Sequence, residues 1–277
     1  GGVLAAALGQ KLLQHHRRAL DLVGVVLRFH RQPDLALLEP VEDFRIDFED
    51  GYGVRPDADE DRDVAAAARE VAKGHAAGTL PEFIGIRVKP LTEEFRARSA
   101  RTLRLFLETL LEAAGELPPG FIVTLSKVTV PEQVSVFAVL LAALEREFGL
   151  DAGVLRFEVM IETPQIVLGS HGISPLPALI PAAAGRLQAA HLGTYDYTAS
   201  LGITAAHQRM RHPVCDFAKH MMQVAYAGTG VWLSDDGGVH QVPTIDLGPG
   251  DRILVRPGDV IAADGQVEDG ESQVDES

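Results

Sequence analysis

Two short runs decide how this chain is read: LRFEVMIET at residues 155–163 and HLGTYDY at residues 191–197. Each strings together aliphatic, β-branched and aromatic residues, the composition of a buried strand. Each carries one acid toward its end, Glu162 or Asp196, before a break at Pro164 or around Gly202. Single carboxylates at two neighbouring strand tips suit a hard cation such as Mg²⁺ or Mn²⁺, because they leave positions for water and substrate oxygens. In parallel α/β folds the carboxyl ends of the strands are also where chemistry sits. The expectation is a metal site made by Glu162 and Asp196.

Outward from these runs the pattern repeats. Strand-like segments at 44–50, 83–89, 121–128, 155–162 and 188–196, with a further one at 228–234, recur roughly every 30 to 40 residues. Amphipathic helical stretches at 57–75, 92–114 and 134–148 lie between several of them. Alternation at this spacing predicts a parallel sheet, and the number of units predicts a closed α/β barrel of the (β/α)8 TIM type. Asp50, Arg87, Lys127, Glu162 and Asp196 would then share one rim.

The segment FRIDFED at 44–50 alternates apolar and acidic residues. It reads either as an edge strand with a solvated face or as a strand that delivers Glu49 and Asp50 to the mouth holding Glu162 and Asp196. Arg87, a cation within an apolar strand, is costly to bury without a carboxylate partner. That partner belongs either to the protein or to a substrate. Residues 3–39 have helical spacing divided by Pro33 and offer no chemistry; His15 and His16 are adjacent, not four apart as ligand pairs on a helix require.

Composition limits the function classes. Acids outnumber bases by 39 to 25, a formal net charge of −14, with no basic patch, which disfavours nucleic acid and anionic membranes and suits a small anionic substrate. The single cysteine, Cys215, permits no intrachain disulfide and no Cys-rich metal cluster, so the cytoplasm is the expected compartment. No apolar run is long enough to span a bilayer and no secretory signal is evident. Cys215 has no adjacent base and no Gly-x-Ser-x-Gly is present, which argues against acyl-enzyme chemistry. His212, Asp216 and His220 would share one face of a helix expected at 204–227, where packing is a better account than metal. Tyr195 and Tyr197 are expected to pack the barrel.

Taken in order, Asp47-Phe48-Glu49-Asp50, Arg87-Val88-Lys89, Ile161-Glu162-Thr163 and Tyr195-Asp196 followed by Leu201-Gly202 resemble the strand ends of the HpcH/HpaI aldolase and citrate lyase β-subunit family, of the phosphoenolpyruvate/pyruvate barrel superfamily. The resemblance spans about residues 35–236. It implies a divalent cation on Glu162 and Asp196, a substrate carboxylate or carbonyl on Arg87, an outer-shell place for Glu49 and Asp50, and a homo-oligomer; Arg87 and Asp50 are the catalytic candidates. The implied activity is a Mg²⁺-dependent carbon–carbon lyase or aldolase reaction on a small 2-oxo acid or an acyl-CoA-type substrate, through a metal-stabilised enolate. Lys127 falls near a position where relatives carry a basic residue, and no catalytic task is assigned to it. No first barrel strand is apparent in residues 1–40, so the barrel is expected to lack it.

The end of the chain departs from that family. Residues 242–277, with Pro-Gly and Asp-Gly turns between short strand-like pieces, read as a small all-β segment. They resemble the actuator domain of metal-transporting P-type ATPases, stopping at Val-Asp-Glu-Ser (274–277) where the family continues into Thr-Gly-Glu. The expected division is a barrel over 1–237 and an actuator-like segment over 238–277. The alternative function is therefore a catalytically defective fusion or fragment carrying part of an actuator domain.

Overall fold

The computed structural model describes residues 43–234 and the strand Gly24–Arg28. The expected all-β tail, most of the helical stretch read at 3–39, and the junction near 237 lie outside the described residues.

Seven strands form one sheet in the order of the sequence: β1 (Gly24–Arg28), β2 (Asp43–Asp47), β3 (Phe83–Val88), β4 (Phe121–Leu125), β5 (Arg156–Ile161), β6 (Leu187–Leu192) and β7 (Trp232–Ser234). Strands β2 to β7 are parallel, each pairing with the next, and β1 pairs antiparallel with β2. Sequence reading placed 24–28 within helix, yet Val25-Val26-Leu27 is a β-prone run that finds a partner in β2. An antiparallel β1 is not the missing first barrel strand, which would have to run parallel. The fold is thus mixed α/β around a six-stranded parallel sheet; among the described residues β7 pairs only with β6 and β1 only with β2, so the closed eight-stranded barrel is not observed.

The sheet is nonetheless strongly curled. The Phe83 ring at the start of β3 meets the Trp232 ring of β7 edge-on at 5.8 Å. The Arg45 side chain of β2 reaches Glu158 of β5. On the convex side pack α1 (Asp57–Ala77), α2 (Arg96–Ala114) and α3 (Pro131–Phe148), each ended by a left-handed glycine, Gly78, Gly115 or Gly149. Their apolar faces bury Val64, Val71, Leu103, Phe106, Leu110, Phe137 and Leu141 against the outward residues of the strands. Helix α1 opens on Asp57, Asp59 and Glu60, acids that suit the positive N-terminal end.

Strand β2 is buried along its whole length, which overturns the reading of an edge strand with a solvated face. Asp43, Arg45 and Asp47 point to the concave side instead, into the path of β5 and β3. After β5 come a single turn α4 (Pro164–Val167) and a second, α5 (Leu179–Ala182). After β6 comes α6 (Thr194–Ser200), and before β7 lies α7 (Pro213–Tyr226).

Two sequence expectations change here. Asp196 does not end a strand; β6 stops at Leu192, and Asp196 lies in the first turn of α6. Residues 204–227 do not form one helix: a 3-10 turn at Ala205–His207 precedes α7, whose N-cap is His212, with Nδ1 accepting the Val214 N–H at 3.3 Å. His212 therefore caps the helix instead of sharing a face with Asp216 and His220. Tyr197 is buried as expected, but Tyr195 is 69% exposed and packs nothing inside.

Candidate active site

The carboxyl ends of β2, β3, β4, β5 and β6 converge on one cluster of charges. Strand β2 runs into Asp47, Glu49 and Asp50; β3 supplies Arg87; the chain leaving β4 supplies Lys127; β5 ends in Glu162; and the turn after β6 supplies Asp196.

Arg87 is locked by Asp47. Its Nε donates to Asp47 Oδ1 at 2.7 Å and its Nη2 pairs with Oδ2. The same carboxylate accepts the backbone N–H of Glu49 at 2.9 Å and of Gly51 at 2.8 Å, which fixes the turn after β2. Asp47 thus decides the first half of the open question about Arg87: its protein partner is present. Nη1 is less committed, 3.6 Å from Glu49 Oε2, a buried oxygen with no hydrogen-bond partner among the described residues. Burial acts to lower the Arg87 pKa, but the hydrogen bonds and charge of Asp47, with Glu49 and Glu162, outweigh it and hold it above the usual value.

Lys127 is the hub. Its ammonium donates to Glu49 Oε1 at 2.6 Å and Asp50 Oδ2 at 2.7 Å, and it lies 2.8 Å from Asp196 Oδ2. Its backbone N–H donates to Glu162 Oε1 at 2.6 Å. One residue therefore touches four carboxylates drawn from three strand ends. It does so with a backbone φ of 50°, the left-handed region that non-glycine residues seldom enter. Such strain, of order 1–3 kcal/mol, persists where surrounding contacts over-determine it and clusters at functional sites. Burial would lower the Lys127 pKa, but Asp196, Asp50 and Glu49 raise it, so the ammonium is firmly charged.

The two acids of the opening runs sit in different surroundings. Glu162 is buried, and burial pushes its pKa up to about 7; the Lys127 N–H and charge oppose this, while the charges of Asp196 and Glu49 add to it. Asp196 keeps a side chain 39% exposed. Gly193 closes over Glu162: a Cβ there would stand 2.5 Å from Glu162 Oε2 and 2.6 Å from its Cβ. The glycine is needed for space, since its φ of −84° is open to any residue. Glu49 is also raised, by burial first, against the Lys127 hydrogen bond and the Arg87 charge; Asp50 is lowered, because Lys127 outweighs its burial.

All five residues expected at the rim are present there. The sequence reading missed Asp47 as the clamp of Arg87 and Lys127 as the hub. Asp47 stands directly opposite Arg87 in the β2–β3 register, a pairing that only the structure gives. For Lys127 no sequence signal exists either, because nothing in Ser126-Lys127-Val128 announces a left-handed lysine.

A divalent cation fits this donor set by its chemistry. Carboxylates such as those of Glu162 and Asp196 are hard oxygen donors, and Mg²⁺ characteristically uses one or two of these and keeps waters or substrate oxygens for the rest. Among the described residues no group of three or more His, Cys, Asp or Glu side chains forms a ready cation cage. A cation here would depend on water and substrate to complete its shell.

The family model described as "Domain of unknown function (DUF6986)" matches residues 10–249. The chain belongs to this family. A second model, the P-type ATPase actuator domain, matches residues 226–277 and overlaps the end of the DUF6986 match. The DUF6986 chain is similar in fold to a citrate lyase from Burkholderia xenovorans LB400, at 23% identity and a TM-score of 0.53, over 73% of this chain and 58% of that one. It is similar to malate synthase from Haloferax volcanii in a pyruvate/acetyl-CoA ternary complex, at 17% identity and a TM-score of 0.51, over 68% and 49% of the two chains. The same enzyme in a magnesium/glyoxylate complex gives 19% identity and a TM-score of 0.50, over 65% and 50%. The DUF6986 chain thus spans about half to three-fifths of the length of these structures. At such identities the likeness shows the fold: mixed α/β, with TIM-barrel-like lyase and synthase neighbours. No curated protein matches the chain. Among the described residues no helix is long and apolar enough to cross a membrane.

Proposed function

We propose that this DUF6986 chain is a Mg²⁺- or Mn²⁺-dependent carbon–carbon lyase or aldolase-like enzyme acting on a small anionic 2-oxo acid or an acyl-CoA-type substrate. The observation that carries the reading is the convergence of Glu162, Asp196 and Arg87 at one end of the sheet, tied together through Lys127 and Asp47. Bond cleavage beside a carbonyl leaves enolate charge that must be held, and a divalent cation on Glu162 and Asp196 would supply the Lewis acidity for that.

The chain's own residues do the rest. Asp47 holds the Arg87 guanidinium through Nε and Nη2, which leaves Nη1, 3.6 Å from Glu49 Oε2, as the group to meet a substrate carboxylate or carbonyl oxygen. Glu162 is kept within reach of its ionised form near neutral pH, as a metal ligand requires. Glu49 stands behind, between Arg87 and Lys127, and Asp50 acts through Lys127.

The test is a calorimetric titration of the purified protein with Mg²⁺ and Mn²⁺, followed by assays against 2-oxo acids and CoA thioesters. Glu162→Ala and Asp196→Ala should each lower turnover by at least about 100-fold, since each removes one of only two protein ligands. Absence of metal binding, together with unchanged behaviour of both variants, would end this reading.

A second reading has its own observation, the match of residues 226–277 to the actuator domain. On it, the chain is a defective fusion whose barrel-like part retains a remnant site. Metal binding without turnover of any 2-oxo acid or CoA thioester would favour it.

A further inference from the structure

We propose that Lys127 is a tethered cation that competes for the acidic rim and thereby sets how strongly the site takes a divalent ion. This rests on the metal-dependent reading above, and it concerns what the lysine does to that site.

The charge balance is the first argument. Asp47, Glu49, Asp50, Glu162 and Asp196 are five carboxylates in one connected network, met by two cations, Arg87 and Lys127. Arg87 is bound to Asp47 at the back of the rim. Among the described residues, Lys127 is the cation that places its charge among the forward acids, and one of its three carboxylates is Asp196, a proposed ligand. An ion approaching Glu162 and Asp196 meets the ammonium at close range, where like charges repel by an amount that solvent screens only in part.

Backbone geometry is the second. Lys89, a buried lysine just past the end of β3, satisfies its ammonium in an ordinary way with Glu60 and the Phe48 carbonyl. Lys127 instead occupies the left-handed region, one of two non-glycine residues to do so among the described residues. That turn lets its N–H face Glu162 while its side chain runs to Glu49, Asp50 and Asp196. The N–H positions a ligand and the ammonium opposes the cation. The two actions are separable, because side-chain substitution leaves the N–H in place.

Lys127→Met and Lys127→Gln, two neutral variants, and Lys127→Arg, which keeps the charge, should be titrated with Mg²⁺ and Mn²⁺ and melted with chelator and with metal. Both neutral variants should bind the ions at least about tenfold more tightly than the native protein, and gain more in melting temperature on adding metal, while Lys127→Arg stays within about threefold of native. A lysine that merely held the rim together would give the opposite sign, because the carboxylates would spread and bind more weakly. Native protein that binds metal with neutral variants that bind equally or less would overturn the role of Lys127 and leave the enzyme reading standing. Native protein that binds no metal with neutral variants that do would support the competition and sink the metal-dependent reading. No binding by any of them would overturn both.

Discussion

Two charge networks share the concave side of this sheet, and they are built on opposite plans. Midway along the strands, Glu158 receives Arg45 through both oxygens at 3.1 Å, lies 2.6 Å from His191 Nε2, and accepts the Thr124 hydroxyl, while Arg45 also pairs with Asp43. All are buried, and the two acids face Arg45 and His191. At the strand ends five acids face two cations, and parts of the cluster reach solvent. A buried network in which each acid has partners fixes which strands face each other. A rim with surplus negative charge holds itself at some cost in stability and invites a cation. The difference separates what builds the fold from what the fold presents.

Breaking the interior network should produce the largest effect on folding and the smallest on metal binding. Arg45→Met leaves Glu158 and Asp43 buried without their shared cation, and the loss should be about 3–5 kcal/mol in denaturant unfolding. Adding Glu158→Gln should recover part of it, since the two residues touch. If Arg45→Met instead costs little, the interior is better solvated than its burial implies, and the contrast with the rim fails.

The rim should behave in the reverse sense. Glu162 has its pKa raised from 4.5 to about 7 by burial. A raised pKa means that the folded state favours the protonated form; the associated stability is complete below pH 4.5 and disappears as pH rises through 7. Above that the ionised carboxylate burdens the fold by up to about 3 kcal/mol. Glu162→Gln, which can still accept the Lys127 N–H, should therefore be more stable than the native protein at pH 8 in chelator, by an amount up to that figure, and equal to it near pH 4. An identical difference at both pH values would show that ionisation of Glu162 is not the cause.

Gly193→Ala joins the two properties. The added methyl cannot coexist with the present position of Glu162, because the clash involves the Glu162 Cβ as well as its mobile end. The expected cost is about 1–3 kcal/mol, typical of overpacking, together with weaker Mg²⁺ binding as Glu162 is pushed aside. Wild-type metal affinity in this variant would remove Glu162 from the proposed ligand set.

How far the sequence could be read follows from the same division. Glu162 was legible because β5 is a mostly apolar run with a proline behind it, and its observed bounds, Arg156–Ile161, differ from the expected ones by a residue at each end. Asp196 was legible as an acid near a strand end, but its helix was not, although Gly193 followed by Thr194 and an early acid is an acceptable helix start. Strand β2 was found and its exposure left open, because alternating acids look like a solvated face until a facing arginine and glutamate are known to pair with them. The interior network and the hub role of Lys127 could not be read at all. Both depend on which residues far apart in the chain come to face each other, 113 positions apart for Arg45 and Glu158 and 78 for Lys127 and Glu49.

Asp50 gives the mildest test and separates two roles that its position alone does not. It is a catalytic candidate, whereas the resemblance to the aldolase and citrate lyase group implies an outer-shell place for it. In the structure its carboxylate is 54% exposed, bonded to Lys127, with a pKa below the usual value because the Lys127 hydrogen bond outweighs its burial. An acid held in that state is a weak proton acceptor near neutral pH, since the best general bases have pKa values close to the working pH. Asp50→Asn should therefore cost less than about 1 kcal/mol in stability, the range of an exposed ion pair. It should also tighten or loosen Mg²⁺ binding by only a fewfold, because Glu49 and Asp196 still hold the ammonium. A turnover loss of a hundredfold or more at unchanged metal affinity would reverse this and make Asp50 a proton-transfer group, with Lys127 as the residue that tunes it.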